Sequence, residues 1–84
     1  MIFYVVCDAA NPPPTYGQWE ADPNGRGYIR TIRQNNADYG LYLAIHSAVN
    51  TGLAYGGKAR VSVYQYGVRK PIYTWEETAD EPVA

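Results

Sequence analysis

The stretch Ile2-Phe3-Tyr4-Val5-Val6-Cys7 constrains this chain more than any other. It is apolar at nearly every position and rich in β-branched and aromatic residues. Such a run reads as a β-strand covered on both faces, and therefore as a central strand. The remainder of the chain must then supply flanking strands and a layer to cover them. With 84 residues in all, there is room for one small domain.

Asp8 and the segment Asn11-Pro12-Pro13-Pro14 end the opening strand. Consecutive prolines lack backbone donors and favour extended polyproline geometry, so this run reads as a rigid connector rather than a ligand for an aromatic groove. Residues 15–33 read as a hairpin. Thr15 to Ala21 forms its weak first strand, Asp22-Pro23-Asn24-Gly25 carries type I turn chemistry, and Gly27 to Arg33 returns. Leu41, Ile45, Ala48, Val49, Gly52 and Leu53 then recur at the spacing of one helical stripe, which predicts an amphipathic helix with this stripe buried. Asn35 or Asn36 serves as its N-cap, Asp38 complements the macrodipole, and Gly56-Gly57 ends it.

Arg60 to Tyr66 alternates as a strand, and Pro71 to Glu76 returns after a turn through Gly67-Val68-Arg69-Lys70. With a four-residue loop, Tyr64 opposes Tyr73 and Ser62 opposes Trp75. This register places Tyr64, Tyr66, Tyr73 and Trp75 on one face, with Val61, Val63 and Ile72 on the other, against the helix. The expectation is an α+β fold in the order β-ββ-α-ββ, with an antiparallel sheet of four to five strands and one helix on one face. Residues 1–76 make a single compact domain, and 77–84 a short acidic C-terminal tail.

Catalytic and metal-binding motifs are weak. His46 is the only histidine, and one cysteine gives no Cys/His ligand spacing. Ser47 adjoins His46, but neighbouring helix positions point about 100° apart and do not form a nucleophile–base pair. Cys7 lies in an apolar strand, where thiols are usually inert. Glu76, Glu77, Asp80 and Glu81 cluster near the chain's end rather than across a rigid cleft. Gly56-Gly57-Lys58 follows a helix instead of opening one and lacks phosphate-loop spacing. The expectation is a non-enzymatic chain without cofactor or metal. The opening run is too short for a membrane span and lacks the basic flank of a signal peptide, so the expected location is cytoplasmic. A single cysteine also argues against a disulfide scaffold.

Two features point to recognition. Nine Tyr and two Trp stand against one Phe, although a buried tyrosine needs a partner for its hydroxyl. Tyr, Trp and Arg are the residue types enriched at the centres of macromolecular interfaces. Charge is also segregated beneath a formal net of −1. All seven basic residues fall between Arg26 and Lys70, opposed there only by Asp38, while the other seven acids occupy the two ends. The candidate binding residues are Tyr64, Tyr66, Tyr73, Trp75, Arg60, Arg30 and Arg33. They suggest a module that occupies a surface of a larger protein or complex, as an inhibitor or adaptor. By analogy of style, an inhibitor of a host defence system encoded by a virus or mobile element fits this description. The alternative is a single-stranded nucleic-acid module with an aromatic sheet face, which the near-neutral charge disfavours. A self-complementary sheet edge would also allow a homodimer.

Overall fold

The computed structural model describes residues 1–75. Its elements are β1 (Ile2–Cys7), β2 (Glu20–Ala21), β3 (Tyr28–Arg33), α1 (Ala37–Ala54), β4 (Val61–Gln65) and β5 (Tyr73–Trp75). They form the expected α+β architecture, one helix on a five-stranded antiparallel sheet in the order β2-β3-β1-β4-β5. The opening strand is central, paired with β3 on one side and β4 on the other. Because β3 and β4 both run antiparallel to β1, they are parallel to each other. A parallel return requires a long crossover, and α1 provides it, spanning roughly 27 Å at 1.5 Å per residue. The acidic tail expected at 77–84, together with Glu76, lies outside the described residues.

Phe3, Val5 and Cys7 of β1, Ile32 of β3, and Val61 and Val63 of β4 form the sheet side of the core, against Ala44 and Ala48 of α1. The apolar character of β1 correctly signalled its central place, but the strand is covered by a helix on one face only. On the opposite face Ile2 and Tyr4 stay half-exposed.

The helix is capped by Asn36, whose Oδ1 accepts a hydrogen bond from the Tyr39 amide at 2.9 Å. It ends where Gly56 and Gly57 adopt φ values of 61° and 81°. Its buried residues are Gly40, Ala44, Ser47, Ala48, Thr51 and Gly52, which corrects the predicted stripe. The observed set repeats the predicted spacing one residue earlier, a rotation of about 100° about the helix axis. Leu53, expected in the core, is exposed. The physical reason is size. The Phe3 ring lies over Gly40 and the Trp75 ring over Gly52, where any β-carbon would crowd them. Large side chains come from the sheet, so the helix presents its smallest face.

A second correction concerns β5. Val61 pairs with Trp75, Ser62 with Thr74 and Val63 with Tyr73, one residue away from the expected register. The connection is longer than four residues, with Gly67 at φ 81° and the Ile72 amide already bonded to the Val63 carbonyl. A slip of one residue exchanges the faces of a strand. Tyr73 and Trp75 therefore lie beneath the helix with Val61 and Val63, whereas Ile72, expected there, is exposed.

The predicted 15–33 hairpin contracts at its first strand, since only Glu20 and Ala21 pair with β3. Its turn forms as expected, the Gly25 amide bonding the Asp22 carbonyl at 2.9 Å. Gly27, at φ 121°, passes so close to the Cys7 carbonyl that no side chain would fit. The proline connector lies along the C-terminal half of α1. Pro13 is buried, and the Thr15 and Thr51 hydroxyls share a hydrogen bond at 2.8 Å.

Candidate functional site

Alternation along each strand decides which side chains face away from α1. The cross-strand partners Tyr4, Thr31 and Tyr64 form one row of the open face. Val6, Ile29, Ser62 and Thr74 form the next. Ile2 and Arg33 pair at the far end. Tyr66 follows Tyr64 by two residues, and its ring centroid lies 6.4 Å from that of Tyr4, tilted by 47°. Tyr4, Tyr64 and Tyr66 thus form an aromatic cluster on the uncovered side of the sheet.

The β2–β3 turn adds a cation to this face. Asp22 is buried, and its carboxylate accepts hydrogen bonds from the Asn24 amide at 3.1 Å and from Arg26 Nε at 2.6 Å. That bond fixes the Arg26 guanidinium 5.1 Å from the centre of the Tyr64 ring, at cation–π distance. Burial pushes the Asp22 carboxyl upward, but the Arg26 and Asn24 hydrogen bonds and the Arg26 charge outweigh it and hold the group below the ordinary carboxylate range. The hydrogen bond to Asp22 likewise raises the Arg26 pKa against the opposing effect of burial, with Tyr64 contributing in the same direction. Arg26 is therefore a permanent cation. Beside it lies a concavity of about 470 Å³, with Val6, Asp8, Arg26, Arg60, Tyr64 and Thr74 in its walls.

The predicted site residues divide between the two faces. Tyr64 and Tyr66 lie on the open face, Arg60 borders its concavity, and Arg33 stands at its far end opposite Ile2. Tyr73 and Trp75 do not join them, for the reason of register given above. Arg30 also faces the helix. It donates to Ser47 Oγ at 2.9 Å and its guanidinium lies 5.5 Å from the Tyr16 ring centre, so it ties a loop to the helix. Tyr4 and Arg26 belong to the site but were missed. Treating β1 as alternating rather than uniformly apolar places Tyr4 outward. Arg26 follows Asp22 by four residues across a recognisable turn.

The groups with catalytic potential lie elsewhere. Cys7 is fully buried on the helix side, and burial, helped by the Asp8 charge, pushes its thiol up to about 11. His46 is exposed on the outer face of α1, its ring 5.7 Å from that of Tyr42 and its Nδ1 3.2 Å from Asn50 Nδ2. Among the described residues no group of three His, Cys, Asp or Glu could hold a metal ion, and no helix is long and apolar enough to cross a membrane. Aromatic rings, a guanidinium, hydroxyls and a shallow hollow are suited to contact and stacking.

No family model, curated protein or solved structure matches this chain.

Proposed function

We propose that this chain is a small non-enzymatic binding module of the cytoplasm, an inhibitor or adaptor that lays its open sheet face on a surface of a larger protein. The observation that carries this reading is the cluster of Tyr4, Tyr64 and Tyr66, with Arg26 held over Tyr64, on the side of the sheet opposite the helix. Tyrosine supplies large contact area at a small cost in side-chain freedom, and tyrosine and arginine dominate binding energy at interface centres. Arg26 is already fixed by Asp22, so a partner stacking there need not order it.

The same surface favours a second reading, a platform for single-stranded nucleic acid. Stacking on tyrosine is tolerant of base sequence, and all seven basic residues fall within the Arg26–Lys70 segment that supplies Arg26, Tyr64 and Tyr66, although the formal net charge of −1 disfavours a groove that tracks phosphates. One experiment separates the two. The tagged protein and its Tyr64→Ala/Tyr66→Ala variant are used to capture partners from lysate of the native host, with and without nuclease, after urea titration shows both are folded. Nuclease-resistant capture of one protein assembly, lost in the variant, is expected. Capture abolished by nuclease supports the nucleic-acid reading, and capture unchanged in the variant removes the open face from both.

A further inference from the structure

We propose that the outer edge of β3 beyond β2 is a strand-addition site, which takes an extended acidic segment of a protein partner. In an antiparallel ladder the N–H and C=O of one residue point to the same side, and successive residues alternate. The Gln34 amide bonds the Met1 carbonyl, and the Asp22 amide bonds the Gly27 carbonyl. Even-numbered residues of β3 therefore turn their backbone groups toward β1 and odd-numbered ones toward the outer edge. Ile29 meets Glu20 there, but β2 ends at Glu20. Thr31 and Arg33 are left presenting two N–H and two C=O groups with no strand beside them among the described residues.

The gap is built into the fold. Before β2 the chain rises over Arg30, whose side chain occupies the space beneath Gly17 and is anchored on Ser47. A hollow of about 520 Å³ opens between Gln18 and Thr31 as a result. This hollow leaves room beside the Thr31 rung.

Backbone donors and acceptors alternating along an edge are matched by another extended chain, which is the physics of β-augmentation. Charge selects its composition. Arg33 is exposed on the open-face side, and a guest residue directly opposite in an antiparallel pair has its Cβ about 5 Å away. A carboxylate there pairs with Arg33. The guest residue opposite Thr31, two positions along on the same face, is a second carboxylate that accepts a hydrogen bond from the Thr31 hydroxyl, while β-branched residues between them project to the other face. The backbone rungs of this site lie on the far side of β3 from the tyrosine cluster, and the proposal does not depend on that cluster's role.

The test follows backbone amides by NMR and hydrogen exchange in the full chain. The probe is an acetylated nine-residue peptide alternating Thr and Glu, compared with a Thr/Lys counterpart and with a Thr/Glu peptide N-methylated at every residue. Without peptide, the Thr31 and Arg33 amides should exchange fast while those of Arg30 and Ile32 are protected. The Thr/Glu peptide should slow exchange at Thr31 and Arg33 by about tenfold or more, the equivalent of one net hydrogen bond. The N-methylated peptide should have no effect. Thr31→Pro removes an outward N–H that the β1–β3 ladder does not use, and should abolish the protection. Arg33→Glu should transfer the preference to the Thr/Lys peptide, and decides the matter even if the proline variant does not fold. No protection at these two amides, equal protection by the N-methylated peptide, or an unaltered preference in Arg33→Glu overturns the proposal. Protection that rises with protein concentration in the absence of peptide assigns the edge to a second copy of the chain and overturns it equally.

Discussion

The seam between Gly52 and Trp75 yields a prediction whose sign depends on the structure. Replacing a glycine inside a helix with alanine normally stabilises it by about 0.8–1 kcal/mol, because glycine carries the larger backbone entropy. At Gly52 the new β-carbon would lie inside van der Waals contact of Trp75 Cδ2, Cε3 and Cζ3. Overpacking of this kind costs about 1–3 kcal/mol, since the ring must tilt off its rotamer or the helix must lift from the sheet. Gly52→Ala is therefore expected to destabilise by about 0–2 kcal/mol despite its favourable propensity.

In a Trp75→Ala background the obstruction is gone, and the same substitution should stabilise by about 1 kcal/mol. The coupling energy of the double-mutant cycle then equals the overpacking cost, about 1–3 kcal/mol. Urea titrations of the four proteins, followed by far-ultraviolet circular dichroism, give each value; for a domain of this size 1 kcal/mol corresponds to a shift of about 4–8 °C in Tm. Stabilisation by Gly52→Ala in the wild-type background, or simple additivity, would refute the reasoning. The cycle also tests β5 register independently of binding. With Trp75 on the open face, Gly52→Ala meets no ring and gains stability in both backgrounds.

Asp22→Ala removes the hydrogen bonds to the Asn24 amide and Arg26 Nε, and should cost about 1–2 kcal/mol by urea titration, the lower part of the range for charged hydrogen bonds because the Arg26 side chain is 41% exposed. Since the folded-state pKa of Asp22 is depressed, its stabilisation is full above the ordinary value of 3.8 and disappears as pH falls below it, so the acid limb of wild type should be steeper than that of Asp22→Ala. Cys7 has the opposite sign: its folded thiol is raised to about 11 from 9.0, so its contribution is intact below pH 9 and lost as pH rises toward 11, a slope that Cys7→Ala should lessen. Among the described residues Trp19 Nε1 is buried without a hydrogen-bond partner, so Trp19→Phe should cost only the packing lost with the smaller ring, about 1–2 kcal/mol by urea titration, and a loss above about 3 kcal/mol would count against an orphaned nitrogen. Ala48→Asp places a charge at a fully buried position and should unfold the chain, whereas Ile45→Asp, at a half-buried one, should leave circular dichroism native-like.

Much of the architecture was legible because local chemistry and tertiary need agree. The central place of β1, the Asp22–Gly25 turn, the Asn36 cap and the Gly56-Gly57 terminus each rest on a residue type that few other conformations suit. The shortness of β2 was hidden, because Tyr16 and Trp19 are good strand residues and nothing nearby in sequence announces that Arg30 fills the space beneath Gly17. Arg30 itself looked like a surface cation. Only the crossing of β3 beneath α1 brings it to Ser47, seventeen residues later.

The two errors that matter for the site share one physical cause. Apolar periodicity favours burying the largest side chains, which selects Leu41, Ile45 and Leu53 for the helix seam. A seam filled from the helix side has little room for Trp75, and that is consistent with turning β5 outward. The structure makes the complementary choice. Phe3 and Trp75 supply volume from the sheet over Gly40 and Gly52, so the helix must rotate by one residue to offer its small face, and β5 must take the register that points Trp75 inward. Neither change is stable without the other: a rotated helix with Trp75 outside leaves a cavity, and Trp75 inside with the predicted stripe overfills the seam. The composition of the open face follows from this coupled choice. It loses Tyr73 and Trp75 to the core and keeps Tyr64 and Tyr66 beside Tyr4 and Arg26, so the surface available for recognition is determined by how the opposite face of the same sheet packs.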